Sequence, residues 1–329
     1  MMKKKGLMFL VTLILVLMLI SGCTPRTTPA TTNPRTGNQG LVLRFVPGNP
    51  PPHIAVGDPF SIQVEVSNLG AFPQDPSTAT DPDTSGPMEG VIYLEGFDPN
   101  FFSFSEVINL NVPGVQIPPT LYGKDQYNAK GTTDYVSFNG QINSLPHGDT
   151  EFQQRFLVTA CYYYRTIALP TVCIDPDPFR TQVKQRICQY NQVLNLGGGQ
   201  GGPVAVTYVK PDTGSSTIRY DIGISNSGNG LLLKPDNYLA ECPNAAYSEV
   251  NFVRVRVFVD NIDITGSCRP GDPPNNEGLL VRLIDNKAVI TCTFPKPPKE
   301  MPAYLAPMKI VISYGYSTSI QGNLRVLPQ

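Results

Sequence analysis

The sequence predicts an all-β fold, two tandem antiparallel β-sandwiches, on three observations. Apolar residues occupy every second position in Phe60-Ser-Ile-Gln-Val-Glu-Val66 and again in Ile218-Arg-Tyr-Asp-Ile-Gly-Ile224, the period of a half-buried strand. Glycine (29) and proline (33) supply many turns, while charged residues make up only 16% against about 25% in an average domain, which argues against long solvated helices. Third, the two alternating segments share a pattern that ends in Ser-Asn-x-Gly, at Gly70 and at Gly228, an offset of 158 residues. That is a domain-sized period.

The chain opens on Lys3, Lys4 and Lys5, followed by an apolar run from Leu7 to Ile20. Fourteen helical residues rise about 21 Å, short of the roughly 30 Å hydrocarbon core, so the run fits a signal-peptide core better than a permanent span. Leu19-Ile20-Ser21-Gly22-Cys23 resembles the lipobox of prokaryotic lipoproteins. The resemblance implies cleavage after residue 22 and a diacylglycerol on the Cys23 thiol, with the mature protein anchored to the membrane rather than crossing it. Residues 24–40 hold three prolines and nothing apolar larger than alanine, so 23–40 is expected to be a flexible tether reaching up to about 50 Å.

In the first sandwich, 41–178, strands are expected at Leu41–Val46, the Phe60 segment, Val91–Leu94, Val107–Val112, Asp134–Phe138, Phe152–Ala160 and Tyr162–Ile174. The second, 179–329, offers Val204–Val209, the Ile218 segment, Val253–Val259, Leu279–Ile284, Ala288–Phe294, Lys309–Tyr316 and Asn323–Leu327. Strands ending in Asn-x-Gly resemble those of extracellular Ig-like domains of the CARDB kind, which implies Ig-like sandwiches. The stretch Cys161-Tyr-Tyr-Tyr through Val172-Cys-Ile-Asp-Pro176 resembles surface proteins of archaea for which no activity is implied. Gly197–Gly202 reads as a hinge at the domain junction, since no Lys-Ser/Thr follows to make a phosphate loop.

Lys+Arg 25 against Asp+Glu 26 removes the electrostatic drive for nucleic-acid binding, and loss of residues 1–22 takes the net charge from -1 to -4. His53 and His147 stand alone in proline-rich loops, without partners for a zinc site or a triad, and no cofactor is expected. Asp81-Pro-Asp-Thr-Ser-Gly86 starts like a calcium loop, but Ile92 stands where a bidentate Glu is required. An irregular site from Asp75, Asp81, Asp83 and Glu89 in loop 75–89 remains as an alternative to simple turn capping. Aromatic residues Phe101, Phe102 and Tyr163 are the candidate binding surface.

Six cysteines besides Cys23 in an exported chain point to three disulfides, with pairing to be chosen among the fifteen that six cysteines allow. A hairpin around Pro170 would pair Cys161 with Cys173; of the remaining four, Cys242 and Cys268 bracket the expected strand Val253–Val259 and are the favoured bridge, with Cys188 then joined to Cys292. The expected function is a lipid-anchored cell-envelope structural or adhesive protein acting through protein contacts. The alternative is a solute- or glycan-binding surface lipoprotein; an enzyme is not expected.

Overall fold

The computed structural model describes residues 33–106, 112–147, 149–179, 187–240, 242–275 and 277–329. The first half forms β1 (Leu41–Phe45), β2 (His53–Ala55), β3 (Pro59–Asn68), β4 (Gly90–Glu95), β5 (Phe102–Phe104), β6 (Gly114–Gln116), β7 (Thr133–Ile142), β8 (Phe152–Ala168) and β9 (Thr171–Ile174). The second forms β10 (Leu194–Asn195), β11 (Val204–Thr213), β12 (Thr217–Asn226), β13 (Leu231–Leu233), β14 (Phe252–Val259) and β15 (Ile262–Asp263). It continues with β16 (Asp272–Asn275), β17 (Gly278–Arg282), β18 (Lys287–Pro295) and β19 (Tyr304–Leu327). Among the described residues the only helical pieces are two short 3-10 turns, so the all-β prediction holds. The strand expected at Val107–Val112 lies outside the described residues, apart from Val112, which is not in a strand.

Alternation builds the core as the sequence implies. Phe60, Ile62, Val64 and Val66 of β3 are buried, as are Ile218, Tyr220, Ile222 and Ile224 of β12. Each such side chain contributes roughly 1.5–3 kcal/mol on leaving water. Three sheets result. Two have four strands, in the orders β1-β3-β7-β5 and β10-β11-β12-β18, and the third runs β16-β17-β14-β19-β8-β4-β6. The halves repeat one another: β1-β3-β7 matches β11-β12-β18, and β4-β8 matches β14-β19.

The division at 178/179 into two self-contained domains needs correction. Equivalent strands β8 and β19 lie antiparallel side by side, from Phe152 opposite Val326 to Ala168 opposite Ile310. The third sheet therefore belongs to both halves, and one continuous apolar core runs through Asn33–Gln329. Two pairs of segments read as separate strands, Phe152–Ala160 with Tyr162 onward and Lys309–Tyr316 with Asn323–Leu327, are each one long strand through the shared sheet. The polar pair Thr318 and Ser319 interrupts the apolar pattern because it lines a groove with Leu41–Leu43 rather than resting on core.

Where the halves meet, Tyr162, Tyr164, Tyr314 and Tyr316 form a buried cluster with ring centroids 5.7–6.1 Å apart. Burial pushes all four phenols up, so they stay protonated and act as neutral hydrogen-bonding groups. The contacts repeat in both halves. Tyr162 and Tyr314 accept from the backbone N–H of Leu41 and Val204, the first residues of equivalent strands. Tyr164 donates to Asn68 Oδ1 and accepts from Phe72 N–H; Tyr316 donates to Asn226 Oδ1 and accepts from Gly230 N–H. The asparagines of the repeated Ser-Asn-x-Gly are thus latches onto the shared sheet.

Two further expectations change. The tether stops short of Gly40: Gly37 exchanges backbone hydrogen bonds with Gly198 and Gly201, Lys124 Nζ donates to the Thr36 carbonyl, and Asn38 Nδ2 donates to the Ser227 carbonyl. Gly197–Gly202 is for the same reason a packed connection, fastened also by Gln200, whose side chain bonds the backbone of Leu196 and Val206.

All six cysteines are bridged, but in another pattern: Cys161–Cys242, Cys173–Cys188 and Cys268–Cys292, with Cα–Cα distances of 6.3, 5.7 and 4.0 Å. Cys161 does not face Cys173 because β8 runs straight on to Ala168 and β9 pairs with β19 instead of folding back on β8. The expected bridges Cys242–Cys268 and Cys188–Cys292 are replaced accordingly, and Cys161–Cys242 crosses the expected domain boundary. Three disulfides are the mark of a protein that folds in an oxidising, extracytoplasmic compartment.

Candidate ligand pocket on the shared sheet

The inner face of the shared sheet carries the core, so its alternate residues point to the other side. On β14 the inward residues are Val253, Val255, Val257 and Val259, which leaves Arg254 and Arg256 outward. On β19 the outward positions include Ser313 and Gly315, and on β8 they include Cys161, Tyr163 and Arg165. Register aligns Arg254, Ser313 and Arg165 in one row across three neighbouring strands. With strands about 4.8 Å apart, the two arginine backbones stand roughly 10 Å from each other across a small serine. A trough of about 450 Å³ results, walled by Tyr163 and Arg165 on one side and Arg254 and Arg256 on the other.

Loops from both halves close its ends. The Cys161–Cys242 bridge holds the segment after β13 against the sheet, where Tyr238 and Cys242 join Val91, Tyr93, Leu233 and Val250 in a second small apolar cluster. Pro235 and Asp236 of that segment overhang the trough. At the other end Asp83 binds Arg256 and Lys309, and Asp81 binds Lys309 at 2.8 Å.

The arginines differ in how far they are satisfied. Arg254 is 8% exposed; its terminal nitrogens meet Asp236 and, at 3.0 Å, Asn275 Oδ1, while its Nε lies 3.5 Å from Glu277 Oε2 in an ion pair without hydrogen-bond geometry. Arg256 is held by Asp83. Arg165 has no carboxylate within 4 Å among the described residues. Its Nε donates to the Tyr163 hydroxyl at 2.9 Å, its Nη1 reaches the Asp83 carbonyl at 3.5 Å, and its guanidinium lies 5.5 and 5.3 Å from the Phe72 and Tyr163 ring centroids. The trough therefore presents one rigidly held cation that lacks a counter-ion.

Of the expected surface residues, Tyr163 lines this trough, whereas Phe102 is 1% exposed and belongs to the core. Phe101 is half-buried and packs against the same core. The aromatic run around it became core because Phe60, Phe97, Phe102, Phe104 and Phe156 pack on one another at 4.9–6.4 Å. Cys23 lies outside the described residues. His53 and His147 are both exposed, on separate segments.

Loop 75–89 is organised by ion pairs and turn caps. Asp75 Oδ1 accepts from the Ser77 N–H and hydroxyl, both at 2.8 Å, and the Glu89 side chain is exposed. Among the described residues no three His, Cys, Asp or Glu side chains are grouped for a metal. Burial by itself would raise the Asp83 carboxyl, but hydrogen bonds and charge from Lys309 and Arg256 outweigh it and hold the group below the usual carboxylate range. A depressed native pKa means that stability is full above the unfolded value of about 4 and is lost as pH falls from there through the lower native value. Asp83→Asn is accordingly expected to be less stable than the parent at pH 7, by about 1–3 kcal/mol, and to lose less on acidification to pH 3. Urea melts at the two pH values check this; parallel losses in both proteins would remove the ion pair from the account.

No helix among the described residues is long and apolar enough to cross a membrane. No family model and no curated protein matches this chain. Among solved structures, a tip adhesin of Pseudomonas aeruginosa, CupB6, matches at 10% identity and a TM-score of 0.19, over 89% of this chain and 98% of that one. A mutant form of BuGH86 in complex with neoagarooctaose matches at 10% identity and a TM-score of 0.12, over 84% and 34%. The CFA/I adhesin CfaE of enterotoxigenic E. coli, also in a mutant form, matches at 10% identity and a TM-score of 0.10, over 89% and 85%. At these scores the likenesses carry neither fold nor activity to this chain.

Proposed function

We propose that this chain is a lipid-anchored binding protein of the cell envelope, tethered through Cys23 and acting by holding a partner rather than by turning over a substrate. The observation that carries the reading is the outer face of the shared sheet. There a disulfide-fixed segment and loop 71–89 frame a charged trough on a body whose two halves share one sheet and one core. Such a body suits display and adhesion, the structural and adhesive role expected from the sequence. The trough adds a specific reason for the second reading, a solute- or glycan-binding lipoprotein, because it is a concave site of small-molecule size with convergent polar groups.

Anchoring and binding are tested separately. Cys23→Ala is expected to abolish lipid labelling of the chain and to move it from the membrane fraction to a larger precursor or a released form. An unmodified Cys23 in a mature wild-type chain, seen by mass spectrometry, overturns the anchor. For binding, the protein is cross-linked in its own envelope, then solubilised in detergent and recovered. Specific retention of an envelope protein or glycan is expected, and recovery of the chain alone argues against a binding role.

A further inference from the structure

We propose that the trough on the shared sheet is a site for a sugar carboxylate, a hexuronate unit of an acidic glycan; this deepens the binding reading above and rests on it. Arg165 supplies the charge for an anion. A guanidinium without a carboxylate partner, half-buried among Phe72, Tyr163 and Asp83, is held in place by a 2.9 Å bond from its Nε to the Tyr163 hydroxyl. Its terminal nitrogens keep donors to spare, and little side-chain freedom remains to be lost on binding an anion. Ser313 lies half-buried on the floor in register with Arg165, and its hydroxyl has no hydrogen-bond partner among the described residues. A planar guanidinium fork beside a hydroxyl matches a carboxylate.

The rim decides between anions. Asp236 and Glu277 flank the opening with side chains 41% and 67% exposed, each partly neutralised by Arg254. Two carboxylates at the mouth disfavour a doubly charged phosphate, yet they accept hydrogen bonds from neutral hydroxyl groups. A ligand with one negative charge and several hydroxyls satisfies both walls; a bare inorganic anion satisfies one. A volume of about 450 Å³ admits one sugar ring with some water and excludes a folded partner.

The test is titration calorimetry of the disulfide-intact protein with sodium glucuronate, glucose and inorganic phosphate at matched ionic strength. Glucuronate is expected to bind saturably at one site, with glucose and phosphate at least tenfold weaker. Arg165→Met should weaken glucuronate at least tenfold. Arg165→Lys should weaken it also, because the charge remains but the fork is lost, and Ser313→Ala should weaken it severalfold with the melting temperature unchanged. If Arg165→Met does not fold, the lysine and alanine variants carry the test. Phosphate binding as tightly as glucuronate, or glucuronate binding unaffected by these substitutions, overturns the assignment. A neutral glycan bound independently of Arg165 would likewise overturn it while leaving the broader binding reading intact.

Discussion

Replacing Cys161 and Cys242 together by alanine is expected to cost about 4.5 kcal/mol, the largest loss of any single bridge. The bridge closes a chain segment of 81 residues, against 24 for Cys268–Cys292 and 15 for Cys173–Cys188. In the chain-entropy treatment the stabilisation grows with the logarithm of that length, giving roughly 3 kcal/mol for the shortest of the three. The position of the bridge adds to this ranking. It fastens the segment that carries Pro235, Asp236 and Tyr238 onto β8, so its loss also loosens the small cluster of Val91, Tyr93, Leu233 and Val250. Urea unfolding of the three double variants gives the order directly. A Cys161/Cys242 variant that loses less than the Cys173/Cys188 variant would mean the crossing segment is held by something other than its disulfide.

Strand identity was legible because period-two alternation is a local signal: β3, β7, β12, β14 and β18 all fall where apolar residues alternate. Pairing of β8 with β19 was not, since those strands lie about 150 residues apart and nothing in either names its neighbour. The same distance hid the disulfides. Yet alternation through Cys161-Tyr-Tyr-Tyr-Arg165 already assigns Cys161, Tyr163 and Arg165 to one face and Tyr162 and Tyr164 to the other. Read that way, Cys161 belongs with the outer loops and not with a hairpin. The trough had a second trace in Val253-Arg-Val-Arg-Val257, where two arginines alternate with valines in a core strand and mark an outer face that carries charge. Ser313 left none, because an outward serine on a strand is ordinary until its neighbours across the sheet are known. Phe101 and Phe102 misled for the opposite reason: a dense aromatic run signals burial and recognition equally, and here Phe60 and Phe156 supplied the core that absorbed it.

The repeated Ser-Asn-x-Gly yields the other large effect. A glycine just past a strand commonly serves a turn by adopting a positive φ, but neither Gly70 nor Gly228 does so. What excludes a side chain there is the tyrosine latch. A Cβ on Gly70 would stand 1.9 Å from the Tyr164 hydroxyl and 2.5 and 2.6 Å from the backbone carbonyl oxygens of Gln39 and Gly201. A Cβ on Gly228 would meet the Tyr316 hydroxyl at 2.3 Å and Pro203 Cβ at 2.7 Å. The surroundings differ in how they yield. Gly70 is enclosed by backbone on two sides, beside a fully buried Asn68 whose side chain also bonds the Phe72 and Leu121 carbonyls. Asn226 is only half-buried, and its latch has solvent beside it. Gly70→Ala is therefore expected to cost about 3 kcal/mol or more, since backbone must shift and a buried amide network goes with it, and Gly228→Ala about 1–2 kcal/mol. Thermal melts of the two variants, with Tyr164→Phe and Tyr316→Phe as partners in a double-mutant cycle, separate the clash from the lost hydroxyl. In the double variants the smaller phenylalanine should recover part of the alanine penalty, more at 228 than at 70. Equal penalties at both glycines would show that the latches are equivalent in energy as well as in contacts, and that the backbone around Gly70 is softer than its packing implies.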